Sequence, residues 1–172
     1  DRGGRVVRFN RACEQVSGYR AEEVIGTFFW EKLVPPEEVE RVSQVFGQLT
    51  SGHFPNRHEN HWRTRDEGRR LIAWSNTCIA DPDGQIQHVI ATGIDVTEAR
   101  VAEAELRLAA RVFEHAGEAI MVSDADNRIV KVNPAFSAIT GYAAEEVLGQ
   151  TPARFKSGRH DAAYYRDMWR SL

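Results

Sequence analysis

The chain is poor in cysteine and proline, with two and six in 172 residues. It has no basic block and no long apolar run. Cys13 and Cys78 stand far apart with no C-x-x-C partner, which excludes a disulfide scaffold or thiolate metal knuckle and fits a reducing cytoplasm. No run reaches the roughly 18 apolar residues of a membrane span, and no signal peptide precedes the first strand. The net charge of −3 comes from interspersed charges, so the footprint of a nucleic-acid binder is missing. There is no glycine-rich phosphate loop, no G-x-S-x-G elbow and no phosphoacceptor histidine in a kinase-like context. The carboxylate pairs Glu22-Glu23 and Asp66-Glu67 fall in exposed turns or helix, so this stretch is read as non-enzymatic.

What is present is a repeat. Residues 4–27 recur as 127–150 at a constant offset of 123, with 11 of 24 positions identical. The apolar stripe Val39, Val42, Phe46 and Leu49 maps at the same offset onto Ala162, Tyr165, Trp169 and Leu172. The chain therefore holds one nearly whole module and the first half of another.

Each copy opens with a short β-rich run, Arg5–Phe9 or Arg128–Val132, followed by an asparagine suited to capping a helix, Asn10 or Asn133. The helix that follows stops at Gly18 or Gly141, the usual C′ residue. A second helical turn, AEEV, closes at Gly26 or Gly149, and Pro35-Pro36-Glu37-Glu38 opens a longer helix to Leu49. From Phe54 the period changes to two, giving strands Phe54–Arg65, Arg70–Ala80 and His88–Asp95, joined by turns at 66–68 and 81–84. In the second copy a strand, Ala119–Ser123, precedes the repeat. Subtracting 123 puts its counterpart at positions −4 to 0, to be supplied by upstream residues or by a strand exchanged from a partner chain.

Between the copies lies a long helix with Ala99, Ala102, Leu106, Ala109, Phe113 and Ala116 at alternating spacings of three and four. That is the pattern of a seam for another helix, and Thr97 is its expected N-cap. The boundaries read as 1–97 for the first module, 98–116 for the linker and 117–172 for the second.

The N-x-A element before a helix and GY (Asn10, Ala12, Gly18, Tyr19; Asn133, Ala135, Gly141, Tyr142), the EE-V-hydrophobic-G turn, the DG before the last strand and DVTE at 95–98 resemble tandem PAS domains with their PAC segment, as found in bacterial sensor proteins. The resemblance implies an α+β fold, a five-stranded antiparallel sheet with helices on one face, in two copies joined by the linker helix. It also implies a pocket for flavin, haem, a small metabolite or nothing, and signalling through the strand-to-helix junction Asp95, Thr97 and Glu98. Output domains of such proteins include diguanylate cyclase, phosphodiesterase and histidine kinase modules. The expected role is a sensory module passing a ligand signal through the linker. The alternative is an unliganded homodimerisation module that spaces output domains.

A photoactive flavin site in this family needs a cysteine that neither TFFWEKL after Gly26 nor QTPARFKSG after Gly149 supplies. For a non-covalent flavin, Trp74-Ser75-Asn76 resembles the strand that offers an Asn amide. Trp62 stands where a companion Asn would fall, however, and Gly93 where a Gln is common. An axial haem histidine is missing from Pro36–Leu49, and His160 reads as exposed. His53, His58 and His61 look like a ligand set, but residues three apart on a strand, as His58 and His61 are, point to opposite faces, which argues against a metal site. The expected pocket residues are Phe28, Trp30, Asn60, Trp62, Trp74 and Asn76, among an aromatic set that also includes Phe29 and Phe54. On the first expected strand, Phe54, Asn56, His58, Asn60 and Trp62 share one face, and Arg57, Glu59, His61 and Arg63 the other.

Overall fold

A computed structural model describes residues 1–54, 56–155, 158–159 and 161–171. They form two compact units, 1–103 and 104–172. The expectations for Ala162, Tyr165, Trp169 and Leu172, for His160 and for the side chain of Asn56 lie outside what is described.

In the first unit, helix α1 (Arg11–Ser17) starts where Asn10 accepts the amide of Cys13 at 2.9 Å. It stops at Gly18, whose φ of 76° suits a residue without Cβ. Helix α2 (Ala21–Val24) begins with the Arg20 amide donating to the Glu23 carboxylate. A short helix α3 (Phe29–Lys32) follows, which the sequence pattern did not show. The proline pair then initiates a 3₁₀ turn, Pro36–Glu38, that runs into α4 (Val39–Thr50).

Strands β1 (Asn56–Arg63), β2 (Arg69–Ala80) and β3 (Ile86–Asp95) form an antiparallel sheet in the order β1-β2-β3. Val24, Leu33, Trp62 and Ile72 make its buried core, with Phe9, Cys13 and Phe29 packed against them. Full burial of one such aliphatic side chain contributes about 2 kcal/mol.

Helix α5 (Thr97–His115) leaves the sheet and buries no side chain. In the second unit, β4 (Met121–Ser123) pairs with β5 (Ile129–Val132), followed by α6 (Pro134–Thr140), α7 (Ala144–Val147), a 3₁₀ turn at Pro152–Phe155 and α8 (Ala162–Ser171). Its core is Ile129, Phe136 and Val147, supported by Tyr142 and Phe155.

Two expectations need correction. Among the described residues the sheets have three strands and two, rather than five in one sheet. The Arg5–Phe9 run is also not a strand. Arg5 makes an isolated bridge to Phe28, the Val6 amide donates to Thr27 O, and Val6 O accepts from the Gly26 amide. A β-rich sequence becomes a strand only beside a strand that takes its hydrogen bonds, and none lies beside this run among the described residues. For the same reason β3 has a paired neighbour on one side only.

Candidate functional site

The register of the sheet decides which side chains meet. His58 lies opposite Trp74 and Asn60 opposite Ile72, while Trp74 lies opposite Gly93 and Asn76 opposite Ala91. Directly paired residues share a face, so His58, Asn60, Trp62, Ile72, Trp74 and Asn76 face the helices together. Val42, Val45, Phe46 and Leu49 on one side of α4 close over them, with Phe9, Cys13, Phe29 and Leu33. The result is a cavity of about 780 Å³, within the size range of small-molecule sites. The Arg5–Asn10 segment and His88–Ala91 of β3 complete its wall.

The polar groups in this apolar wall are few. Asn60 and Asn76 are 3% and 4% exposed. The Asn60 amide donates to His61 O at 2.8 Å, and Asn76 Nδ2 sits 3.4 Å from His58 Nδ1. Burial, reinforced by the charge of Arg41, pushes the His58 pKa down and keeps the ring neutral. Trp74 packs against Trp62, ring centroids 5.1 Å apart at 51°, and its Nε1–H is buried with no acceptor. The indole crosses Gly93 so closely that a Cβ there would lie 2.7 Å from Trp74 Cζ3 and 2.6 Å from Ile72 Cγ2.

Of the expected pocket residues, Asn60, Trp62, Trp74 and Asn76 line the cavity, and Phe28 and Trp30 do not. Phe28 carries the Arg5 guanidinium over its ring at 4.2 Å and stacks on Trp30, whose indole covers Gly4. That cluster pins the N-terminal segment rather than facing a ligand. Reading the wall from sequence missed Phe9, which was assigned to a strand, and Val45. It also left the apolar stripe of α4 without a role at the site.

The junction between sheet and helix is tightly bonded. Asp95 Oδ1 accepts from both the amide and the hydroxyl of Thr97, at 2.9 and 2.6 Å, and Asp95 pairs with Arg70 at 3.8 Å. Thr97 Oγ1 accepts the Leu71 amide of β2 at 2.8 Å. Thr97 thus ties the helix to the sheet, and Asp95 rather than Thr97 takes the amide at the helix start. Glu98 sits in the first turn, favourable to the helix dipole.

One contact was not visible in the sequence. Arg100, one turn into α5, reaches Glu59 of β1 at 2.6 Å and Glu103 at 2.9 Å. Nearby, Glu38 accepts from the His61 amide, contacts His61 Nδ1 at 2.6 Å and pairs with Arg41. Burial works against its ionisation, but the bonds to His61 and the charges of His61 and Arg41 outweigh this and hold its pKa low.

Two family matches described as PAS fold cover residues 1–101 and 108–170. The chain belongs to the PAS family. A nitrogen fixation regulatory protein of Klebsiella oxytoca is 37% identical over 61 residues, 36% of this chain and 12% of its own length. The cyclic di-GMP phosphodiesterase PdeR of Escherichia coli strain K12 is 31% identical over 115 residues, 64% of this chain and 17% of its own. The chain thus spans less than a fifth of either relative. A solved light-oxygen-voltage domain studied with a flavin analogue is 19% identical, covers 62% of this chain and 78% of its own, and superposes with a TM-score of 0.50.

The PAS cavity can be tested against the groups its family carries. Toward a flavin edge, β1 and β2 offer the amides of Asn60 and Asn76, while β3 offers only Gly93, covered by Trp74, with Ala91 and Val89 beside it on the inner face. Helix α4 offers no histidine for haem. Among the described residues no cluster of three His, Cys, Asp or Glu is placed to hold a metal, and no helix is long and apolar enough to cross a membrane.

Proposed function

We propose that this chain is the sensory part of a bacterial signalling protein, binding a small ligand in the cavity of its first PAS unit and passing the change through α5 to an output domain. Similarity to proteins of cyclic di-GMP turnover and nitrogen-fixation control supports a regulatory role. It also favours a parent protein with a diguanylate cyclase, phosphodiesterase or histidine kinase output.

The observation that carries this reading is the double use of β2. Trp74 and Asn76 face the cavity, while nearer the start of the same strand the Leu71 amide is bonded to Thr97 at the start of α5. A ligand that shifts β2 therefore changes the bond that holds the linker. In the parent protein, the double variant Asp95→Ala, Thr97→Ala is expected to lose most of its output response to the signal. A response equal to that of the natural sequence overturns the coupling.

A second reading, a homodimerisation module, is favoured by α5 itself. Leu106 is 73% exposed, and Val101, Leu108 and Val112 form a further apolar line at 53%, 63% and 62%. Of the expected seam, Phe113 is partly covered by Lys131, whose ammonium lies 4.6 Å from its ring centre. Replacing Leu106 and Leu108 by Glu should abolish association in sedimentation if the helix is the interface. An unchanged association state removes it.

A further inference from the structure

We propose that the cavity of the first unit takes an apolar molecule ending in an uncharged carbonyl or carboxyl oxygen, and that the indole Nε1–H of Trp74 holds this oxygen. The proposal rests on the reading of the cavity as a ligand site, and it names the ligand class and the residue that selects it.

An indole nitrogen is a donor only, and a buried donor without an acceptor is costly to keep. Among the described residues Trp74 Nε1 is the buried side-chain nitrogen or oxygen left without a partner. Its ring cannot turn freely to find one. Trp62 packs against it and its six-membered ring lies close over Gly93, within the cluster of Val24, Leu33, Trp62 and Ile72, so the donor is set in place before a ligand arrives.

The polar side chains of β1 and β2 beside it are occupied. The Asn60 amide is spent on His61 O, and Asn76 and His58 lie against each other. Phe9, Val42, Val45, Phe46 and Leu49 offer only apolar contact, and the further polar side chains of the wall are Asn10, whose oxygen caps α1, and His88 of β3. Wall composition therefore specifies a ligand that is apolar over most of its length with one acceptor.

Charge sets the other limit. The charged residues at the edge of the cavity are Asp1, Arg5 and Arg8. The Asp1 carboxylate is tied to the amides of Gly3 and Arg5, and the Arg5 guanidinium donates to Gly26 O and lies over Phe28. Arg8 is exposed, and His58 stays neutral. No buried counter-charge stands ready at depth, and an ion left there without one is strongly disfavoured.

The test uses 2-undecanone and 1-undecene, equal in chain length and differing in the acceptor, each displacing the neutral dye N-phenyl-1-naphthylamine from this chain. Replacing Trp74 by Phe keeps an aromatic body and removes the donor. The expected result is that the potency of the ketone relative to the alkene falls about tenfold in Trp74→Phe, with the alkene itself unchanged. A ratio equal in both proteins overturns the role of Trp74 and leaves the cavity as a ligand site. Failure of both probes and the dye to bind the natural sequence overturns the ligand site and this proposal together.

A measurement on the natural sequence guards against a variant that fails to fold. With ¹⁵N-labelled tryptophan, one indole N–H resonance should move downfield with the ketone and not with the alkene. Indole resonances that respond identically to the two probes overturn the hydrogen bond.

Discussion

The two PAS copies carry the same motif in different surroundings, and one asparagine shows what that changes. Asn133 is 1% exposed. Its oxygen accepts the amides of Ile120 and Phe136, and its amide donates to Glu118 O. Asn10, 123 positions earlier, is exposed, and among the described residues its side chain accepts the Cys13 amide alone. The rest of the motif is reproduced. Arg5 and Arg128 donate to Gly26 O and Gly149 O, and Gly18 and Gly141 have φ of 76° and 77°. Asp1 and Asp124 each close a turn by accepting the amides two and four residues on. The motif therefore fixes helix starts, stops and turns. Whether its first run becomes a strand, as β5 does and Arg5–Phe9 does not, depends on the segment beside it.

The sharpest way to break the comparison is to remove both asparagines. Asn133→Ala should cost about 3 kcal/mol, because it removes the cap of α6 and leaves the Ile120 amide and the Glu118 carbonyl unpaired near the core. Asn10→Ala should cost about 1 kcal/mol, the usual value of a helix cap. Urea unfolding followed by hydrogen exchange, so that each unit is read separately, checks this. Equal losses would mean that burial of the second asparagine adds nothing.

A smaller difference should appear on acidification. The pKa of His58 is lowered by burial from its ordinary value of 6.5, so the unfolded chain takes up a proton more readily than the folded one. Stability is then full above pH 6.5 and falls as the pH drops below it. The lowered pKa of Glu38 acts in a lower window, its contribution being present above its ordinary 4.5 and lost as the pH falls through the depressed value. Between pH 7 and 5 the first unit should therefore lose stability with a slope that His58→Asn flattens. A slope unchanged by that substitution means that other groups carry the acid sensitivity.

Most of the framework was legible because its signals are local. Asn caps, Gly stops and Asp-Gly turns act within four residues, and alternation placed His58, Asn60 and Trp62 on one face correctly. What depended on distant partners was not. Phe28 and Trp30 look like Trp62 and Trp74 in sequence, yet the contact of Trp30 with Gly4 draws them away from the cavity. Thr97 has the residue type of a cap, but the Leu71 amide, 26 positions away, takes its oxygen. The Arg100–Glu59 pair, 41 residues apart, has no local signature at all.

The one-sided pairing of β3 also governs how this chain behaves as a material. Edge strands in soluble proteins are normally blunted by lysine, proline or a bulge. Ile86–Asp95 has neither lysine nor proline, only the terminal Asp95 carries a full charge, and Ile90 and Ile94 stand 42% and 67% exposed. Where no strand from outside residues 1–172 covers it, a ten-residue edge of that composition is a template for sheet growth between molecules. Concentrated samples of residues 1–172 alone should form oligomers by edge pairing, and Thr92→Lys is the simplest change for keeping them dispersed.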